Sequence, residues 1–205
     1  MDVVPNVIFE KNDLDIARIH NDTDPCTLIL ASSDTVEVDF VCDALREFFA
    51  KHPQHQLVAI GKIAPALKKR GLDFVAHSQK SAKDFSRVLL SIHNGIGIIP
   101  LDSSPFSSCK SAIKFYHYAM CGIVSIASNV LPYSAEVAHG KSGWLTANMT
   151  DNWLSAMEYV SAEASLRRRL LAQAIHHVRR HNSPGQAFEA WKHVFHGMPK
   201  PDTFV

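Results

Sequence analysis

Short apolar runs alternate with segments of helical periodicity between residues 26 and 146. An apolar run of this length, bounded by turn residues, is typical of a strand that is buried on both faces, and such strands occur in parallel sheets covered by helices. The runs that predict strands are 26–31, 57–61, 72–77, 95–100, 123–128 and 143–146. Repeated strand–helix units predict an α/β fold built on a doubly wound parallel sheet, which is Rossmann-like.

The segments between and after these runs predict helices. Within 36–51 the apolar residues Val41, Leu45 and Phe48 recur at helical spacing. The other predicted helices are 65–70, 82–93, 109–120, 131–138, 151–161, 163–181 and 184–196. We therefore expect a linker-like N-terminal segment over 1–25, a domain with C-terminal helices over 26–196, and a tail over 197–205.

Charge and hydropathy exclude several classes of partner. The chain has 21 Lys and Arg residues against 20 Asp and Glu residues, so its net charge of +1 offers no strong field to nucleic acid or to an anionic membrane. No apolar run approaches the roughly 20 residues that a transmembrane helix needs. The first residues lack the basic and apolar regions of a secretory signal. We expect no nucleic-acid partner, no transmembrane segment and a cytoplasmic location.

Cysteines and histidines give no metal-binding pattern. The four cysteines show no short paired spacing, so neither a zinc motif nor a disulfide framework is predicted. The 12 histidines are scattered and form no H-E-x-x-H motif. We interpret the thiols as mostly small core residues and the histidines of 176–181 as part of a solvated face.

The polar loop after the fourth predicted strand offers the best candidate site. Ligands of parallel α/β sheets bind outside the carboxyl ends of the strands. A helix that begins near Cys109 would point its first N–H groups at an anion, and Lys110, Lys114 and His117 would share one face of it. The pattern indicates a diphosphate site, and a solvated lysine face is the alternative.

Three further residues have a functional and a structural interpretation. Asp102 is placed to meet a sugar hydroxyl or to cap its own loop. Ser111 is placed to donate to phosphate or to begin the helix. Glu136 is placed to reach a ribose or base, or to be a charge on a helix surface.

The segment 96–146 resembles the C-terminal half of family 4 glycosyltransferases, which have the GT-B fold. The likeness extends to topology over about 26–196, but its motifs are specific only over 96–146. The family has a strand that ends in Pro-Leu, a loop with a Phe and a Lys-Ser-x-x-Lys motif, and this chain has Pro100, Leu101, Phe106, Lys110, Ser111 and Lys114 at those places. The family then has a Tyr, a small residue with Gly, a short loop and a closing hairpin. The matching residues are Tyr118, Gly122, Pro132, Tyr133, Glu136 and Gly140.

This resemblance implies a domain that binds the nucleotide diphosphate sugar, the donor of a glycosyl transfer. The acceptor would be a saccharide or a lipid-linked molecule, held by an acceptor-binding domain or partner chain that also supplies the catalytic base. No cofactor and no metal are required. Lys110 and Lys114 would carry charge toward the diphosphate, Ser111 would orient phosphate, and His117 would meet the ribose. Asp102 and Glu136 complete the candidate donor-binding residues.

This chain departs from the family pattern at two places, and the first departure favours an alternative function. Members usually have Glu where His117 stands, and a neutral His lacks the two charged acceptor oxygens of a carboxylate. Many members also have Gly-Arg after the first strand, where this chain has Ser32, Ser33 and Asp34. The alternative is a non-catalytic, GT-B-derived interaction module in a larger protein or complex.

Overall fold

A computed structural model describes residues 24–32, 36–78, 81–182 and 184–196. Its six strands form one parallel sheet in the order β3-β2-β1-β4-β5-β6, the order of the dinucleotide-binding Rossmann fold. The strands are β1 Thr27–Ser32, β2 Gln56–Gly61, β3 Val75–His77, β4 Gly95–Ile99, β5 Val124–Ser128 and β6 Trp144–Thr146. The predicted α/β, doubly wound parallel sheet is confirmed. The predicted tail 197–205 and most of the predicted linker lie outside the described residues.

Nine helices lie within the described part of the chain. They are α1 Val36–Lys51, α2 Ala64–Lys69, α3 Ala82–Ser91, α4 Pro105–Ser108, α5 Ile113–Met120, α6 Tyr133–Glu136, α7 Thr150–Ala162, α8 Ala164–His181 and α9 Pro184–His196. Most agree with the periodicity to within a residue or two. The third strand is shorter than predicted, because the sheet pairs only Val75–His77 at its edge.

The predicted helix over 109–120 is wrong at its start. Ser104 caps a separate turn by accepting a hydrogen bond from the Ser107 N–H at 3.2 Å, and Pro105 occupies its first position. The N–H groups of Cys109 and Lys110 then donate to carbonyl groups of this turn. The chain therefore leaves α4 before α5 begins at Ile113, and the N–H groups expected to face an anion at 109 and 110 are already used.

The strands bury side chains on both faces of the sheet. Leu28 and Leu30 contact one apolar core with α1, α2 and α7, whereas Ile29 and Ala31 contact the other with α3 and α5. Helix α8 contributes residues to both cores. Because both faces of the sheet are buried, the strand sequences are largely runs of apolar residues rather than an alternation of apolar and polar ones.

Helix α5 packs against the sheet through the ring of Tyr118. A Cβ added to Gly97 of β4 would lie 2.1 Å from a ring carbon of Tyr118, so the tyrosine ring occupies the space that any other residue would fill. Gly122 ends the helix at φ 78°, and the Ile123 N–H donates to the Tyr118 carbonyl at 2.9 Å. This is a Schellman ending, which returns the chain directly into β5.

A buried arginine joins three elements at the amino edge of the sheet, where the amino-terminal ends of the strands lie. Arg167 of α8 is fully buried, and its Nε donates to Asn94 Oδ1 at 3.1 Å. Its Nη1 donates to the carbonyl oxygens of Val160 and Ser161 at 3.0 and 2.5 Å. Asn94, at φ 51°, donates in turn to the Asp24 carbonyl at 2.9 Å. The guanidinium thus joins α8, the end of α7 and the turn before β4.

Candidate functional site

Glycine brings the carboxyl ends of β1 and β2 together. Gly61 has φ 100°, a backbone conformation that side chains disfavour, and a Cβ there would lie 2.5 Å from the Ser32 carbonyl oxygen. That oxygen accepts a hydrogen bond from the Lys62 N–H at 3.2 Å. Residues 33–35, which hold the predicted departure from the family's Gly-Arg clamp, lie outside the described residues.

A hydrogen-bonded network fixes the loop that follows β4. The hydroxyl of Ser128, at the end of β5, accepts from the Leu101 N–H at 2.8 Å and donates to Asn148 Oδ1 at 2.6 Å. The amide of Asn148, which follows β6, donates to the Leu101 carbonyl at 2.7 Å. Both main-chain groups of Leu101 are satisfied in this way. Three neighbouring strand ends therefore hold the start of the loop in one position.

Asp102 caps the loop and carries a full negative charge. Its Oδ1 accepts from the Ser104 N–H at 2.8 Å. Hydrogen bonds from Ser104, its hydroxyl first, and from Ser107, together with the nearby charge of Lys110, lower the pKa of Asp102 to about 2. The capping interpretation is therefore what the geometry shows, although the side chain stays partly exposed.

Lys110 lies between the two helices of this segment. Its Nζ is 5.2 Å from the ring centroid of Phe106, which is 75% exposed. The contact is a cation–π interaction that holds the ammonium group near the loop. The charge of Lys110 also contributes to the lowered pKa of Asp102, which is an electrostatic interaction between these two residues.

No side chain caps the amino end of α5. The capping position is Ala112, which has no polar side-chain atom, and Ser111 beside it is exposed. Lys114, half-buried, is the second residue of the helix. The helix dipole opposes a cation here by about 0.3–1 kcal/mol and favours an anion by a similar amount. Lys110, Ser111 and Lys114 therefore surround a helix end that suits a phosphate group.

His117 departs from its predicted surroundings. Lys110 lies outside α5, so only Lys114 shares the helix with His117, and the predicted single stripe of three residues is not formed. The His117 ring is half-buried and lies 5.8 Å from the ring of Phe85 in α3. Burial lowers the pKa of His117. The side chain is therefore neutral at pH 7 and packs partly against the core.

Glu136 belongs to a different cluster. Its Oε2 accepts from His177 Nε2 at 3.1 Å, and this hydrogen bond lowers the pKa of Glu136. The Tyr116 hydroxyl is also hydrogen-bonded to Glu136, and burial followed by the adjacent carboxylate raises the pKa of Tyr116. Glu136 therefore ties α6 to α5 and α8, rather than being a solvated surface charge.

The sequence did not reveal Ser128 and Asn148 as site residues. Both are single polar residues that end or follow a strand, and such residues are common in loops. The signal that could have found them is their position, because they lie at the carboxyl ends of β5 and β6, the neighbouring strands on one side of β4. The main-chain groups of the loop after β4 need hydrogen-bond partners, and side chains at those two ends are near them.

Within the described residues, no three His, Cys, Asp or Glu side chains come together as metal ligands. None of the four cysteines forms a disulfide bond, and Cys109 is the exposed one among them. None of the helices described has the length and apolar character that a bilayer crossing needs.

Comparison with solved structures identifies the fold. Over 92% of this chain, the structure is similar to S. aureus TarM, bound to UDP among other ligands, with a TM-score of 0.70 and 11% identity. Anabaena HepE in complex with UDP and glucose matches over 86%, with a TM-score of 0.70 and 12% identity. The chain spans 38% of TarM and 50% of HepE.

A third match shows which domain of these glycosyltransferases has the same fold as this chain. The C-terminal domain of the glycosyltransferase LpcC from Francisella tularensis matches over 78% of this chain and 87% of its own, with a TM-score of 0.62 and 11% identity. Neither family models nor curated proteins gave a match to the sequence. The chain therefore has the fold of the C-terminal domain of GT-B glycosyltransferases.

Proposed function

We propose that this chain is the donor-binding domain of a family 4 glycosyltransferase. It binds a nucleoside diphosphate sugar and takes part in moving the sugar to a saccharide or lipid-linked acceptor. The observation that carries the proposal is the uncapped amino end of α5 with Lys110, Ser111 and Lys114 around it, at the carboxyl edge of a Rossmann-like sheet. The structural neighbours that were solved with UDP share this fold.

In the proposed reaction, the bond between the sugar and the diphosphate breaks as the acceptor hydroxyl attacks the sugar carbon. Negative charge then grows on the departing diphosphate. Lys110 and Lys114 and the dipole of α5 stabilise that charge, which removes the need for a metal ion. Ser111 orients a phosphate oxygen, and His117 provides a neutral hydrogen-bonding group for the ribose.

The remaining parts of the proposal concern organisation. Residues 26–196 form the donor domain, 1–25 act as a linker, and 197–205 form a tail. An acceptor-binding domain or partner chain supplies the second half of the cleft and the catalytic base. Four cysteines that form no disulfide bond are consistent with a cytoplasmic location.

Nucleotide titration tests this proposal directly. Calorimetry with the diphosphates of uridine, guanosine, thymidine and adenosine should give measurable binding for at least one base. Lys110→Ala and Lys114→Ala should each weaken it by about 1.5–3 kcal/mol, the range for hydrogen bonds to charged groups.

The matched control is Lys141→Ala, since Lys141 is an exposed lysine in the turn that precedes β6, at the opposite edge of the sheet. It should leave the affinity unchanged. No binding of any of the four nucleotides at millimolar concentration, or equal losses in all three lysine variants, would contradict a donor site at α5.

One observation favours the second candidate, a non-catalytic interaction module. His117 stands where the family places its ribose-binding Glu, and its ring packs against Phe85. His117→Glu separates the two candidates. In a working donor site the carboxylate should tighten a nucleoside diphosphate relative to inorganic pyrophosphate. In an interaction module it should leave that preference unchanged, as should the control His117→Gln.

A further inference from the structure

A groove runs between the edge strand β6 and helix α7, beyond the loops of the donor site. Its volume is about 400 Å³, within the range of small-molecule sites. It is lined by Trp144, Leu145, Thr146, Ala147, Asn152, Ser155, Ala156 and Tyr159. None of these residues carries a charge at neutral pH.

Aromatic rings form one part of the groove. The Trp144 ring lies 4.8 Å from the Tyr159 ring and 4.5 Å from the His139 ring, measured between centroids. Tyr159 is 48% exposed, and Trp144 is partly exposed beside it. The face of an aromatic ring carries partial negative charge, and it attracts the weakly positive C–H groups on the face of a pyranose ring.

Hydrogen-bonding groups line the same surface. Asn152, Ser155 and Tyr159 recur at helical spacing, and all three are exposed on the side of α7 that faces β6. An asparagine amide, a serine hydroxyl and a phenol together donate and accept hydrogen bonds, as sugar hydroxyls require.

The edge of β6 is closed to an added strand. The outward N–H of Leu145 donates to Nδ1 of His139 at 3.1 Å, so an incoming peptide cannot pair with it. The uncharged lining does not suit an anionic ligand. Partly exposed aromatic rings, tilted by 42° to each other, beside neutral amide and hydroxyl groups suit a neutral sugar best.

We propose that this groove binds a neutral saccharide, through stacking on Trp144 and Tyr159 and hydrogen bonds to Asn152 and Ser155. The inference goes beyond the proposed function, because it requires neither the nucleotide nor the lysines of α5. The groove would be a second carbohydrate-binding site of the domain, beside β6 at the end of the sheet. A glycan chain bound there would stay on the protein during successive sugar transfers at the donor site.

Nuclear magnetic resonance tests the proposal without any nucleotide present. Maltohexaose, cellohexaose, mannohexaose and chitohexaose would be titrated separately into ¹⁵N-labelled chain up to about 10 mM, which detects dissociation constants near 1 mM. At least one should shift the Trp144 indole N–H and the Asn152 side-chain amide signals. The Trp144 signal is assigned with Trp144→Phe.

Variants then locate the binding. Tyr159→Ala should weaken it at least about fivefold and Asn152→Ala about threefold, which corresponds to one lost contact each. Phe188→Ala is the control, because Phe188 is also an exposed aromatic residue, 63% exposed on α9, and lies outside the groove. It should leave the affinity unchanged.

Three results would overturn the proposal. The first is the absence of shifts at Trp144 and Asn152 with all four sugars. The second is unaltered affinity in a folded Tyr159→Ala chain. The third is equal or stronger binding of a sulfated heparin hexasaccharide at the same two signals. Because no nucleotide enters the experiment, these outcomes leave the donor-site proposal to its own titration.

Discussion

Buried main-chain groups are hydrogen-bonded by different side chains at the two ends of the strands, which we call the amino edge and the carboxyl edge of the sheet. At the amino edge, the buried Arg167 guanidinium bonds to Asn94 and to two carbonyl groups at the end of α7. At the carboxyl edge, the neutral side chains of Ser128 and Asn148 satisfy the main chain of Leu101. A buried charge makes a closed junction, whereas short neutral groups fix a loop and leave the adjoining helix end accessible. The buried junction at the amino-terminal ends of the strands contributes to stability, and the accessible helix end at the carboxyl-terminal ends is where we propose that the ligand binds.

The largest effect should come from removing the charge at the amino edge. Arg167→Leu removes the guanidinium hydrogen bonds to three buried acceptors, Asn94 Oδ1 and the carbonyls of Val160 and Ser161, so we expect the free energy of unfolding to fall by about 3–5 kcal/mol. Denaturant unfolding measures it. Arg169→Leu on the exposed side of α8 is the control and should change stability by less than about 0.5 kcal/mol. A loss below about 1 kcal/mol for Arg167→Leu would show that the amino edge does not depend on its guanidinium.

A smaller loss of stability, together with a loss of binding, is expected at the carboxyl edge. Asn148→Ala removes hydrogen bonds to Leu101 and Ser128 and should lower the free energy of unfolding by about 1–3 kcal/mol. It should also speed amide hydrogen exchange in the loop after β4 and weaken nucleotide binding. Asn129→Ala, an exposed neighbour after β5, serves as the stability control. If Asn148→Ala destabilised the chain without affecting exchange in that loop, the functional contrast between the edges would fail.

The smallest effect concerns pH, and it compares one histidine from each region. Burial lowers the pKa of both His55 and His117, and the charge of His52 and then Arg167 adds to the effect at His55. Below about pH 6.5 the unfolded chain therefore binds protons that the folded chain resists, so stability should fall as pH falls from 6.5 toward 5. Each residue contributes a slope of at most about 1.4 kcal/mol per pH unit, and partial exposure reduces it.

His55 should account for more of this slope than His117. Its Nδ1 accepts a hydrogen bond from the Cys26 N–H at 2.9 Å, and protonation of that nitrogen breaks the bond. Urea titrations between pH 5 and 6.5 on His55→Gln and His117→Gln would compare them. A flatter profile for His117→Gln than for His55→Gln would reverse the assignment.

The sequence was most informative where burial is complete on both sides of the sheet. Strands β1, β4 and β5 are mostly apolar and almost completely buried, so their positions followed from the apolar runs in the sequence. The boundary of α5 was not predictable from periodicity, because the Ser104-Pro105 turn signal lay inside a loop and competed with a helical pattern that began at Cys109. Local capping chemistry decided the outcome.

The candidate site was predictable in its location but not in its contacts. Parallel topology places the loop after β4 beside α5, and Lys110, Ser111 and Lys114 do surround the start of that helix. The partners of Glu136 depended on distances across the fold, such as the contact with His177 of α8, 41 residues away, whereas the cap that Asp102 forms with Ser104 is local. No spacing rule in a single sequence contains such a contact.

The Tyr118 ring beneath Gly97 restricts the order in which these two positions can change during evolution. Any side chain at Gly97 meets the ring, so a first substitution there is costly while Tyr118 remains. The Tyr118 hydroxyl finds no hydrogen-bond partner among the described residues, so exchange to Phe is an inexpensive first step, yet it keeps the ring. A side chain at Gly97 has room only after Tyr118 is replaced by a residue without a ring. Descendant sequences should therefore show the two sites varying as a pair, with the helix position leading and the strand position following.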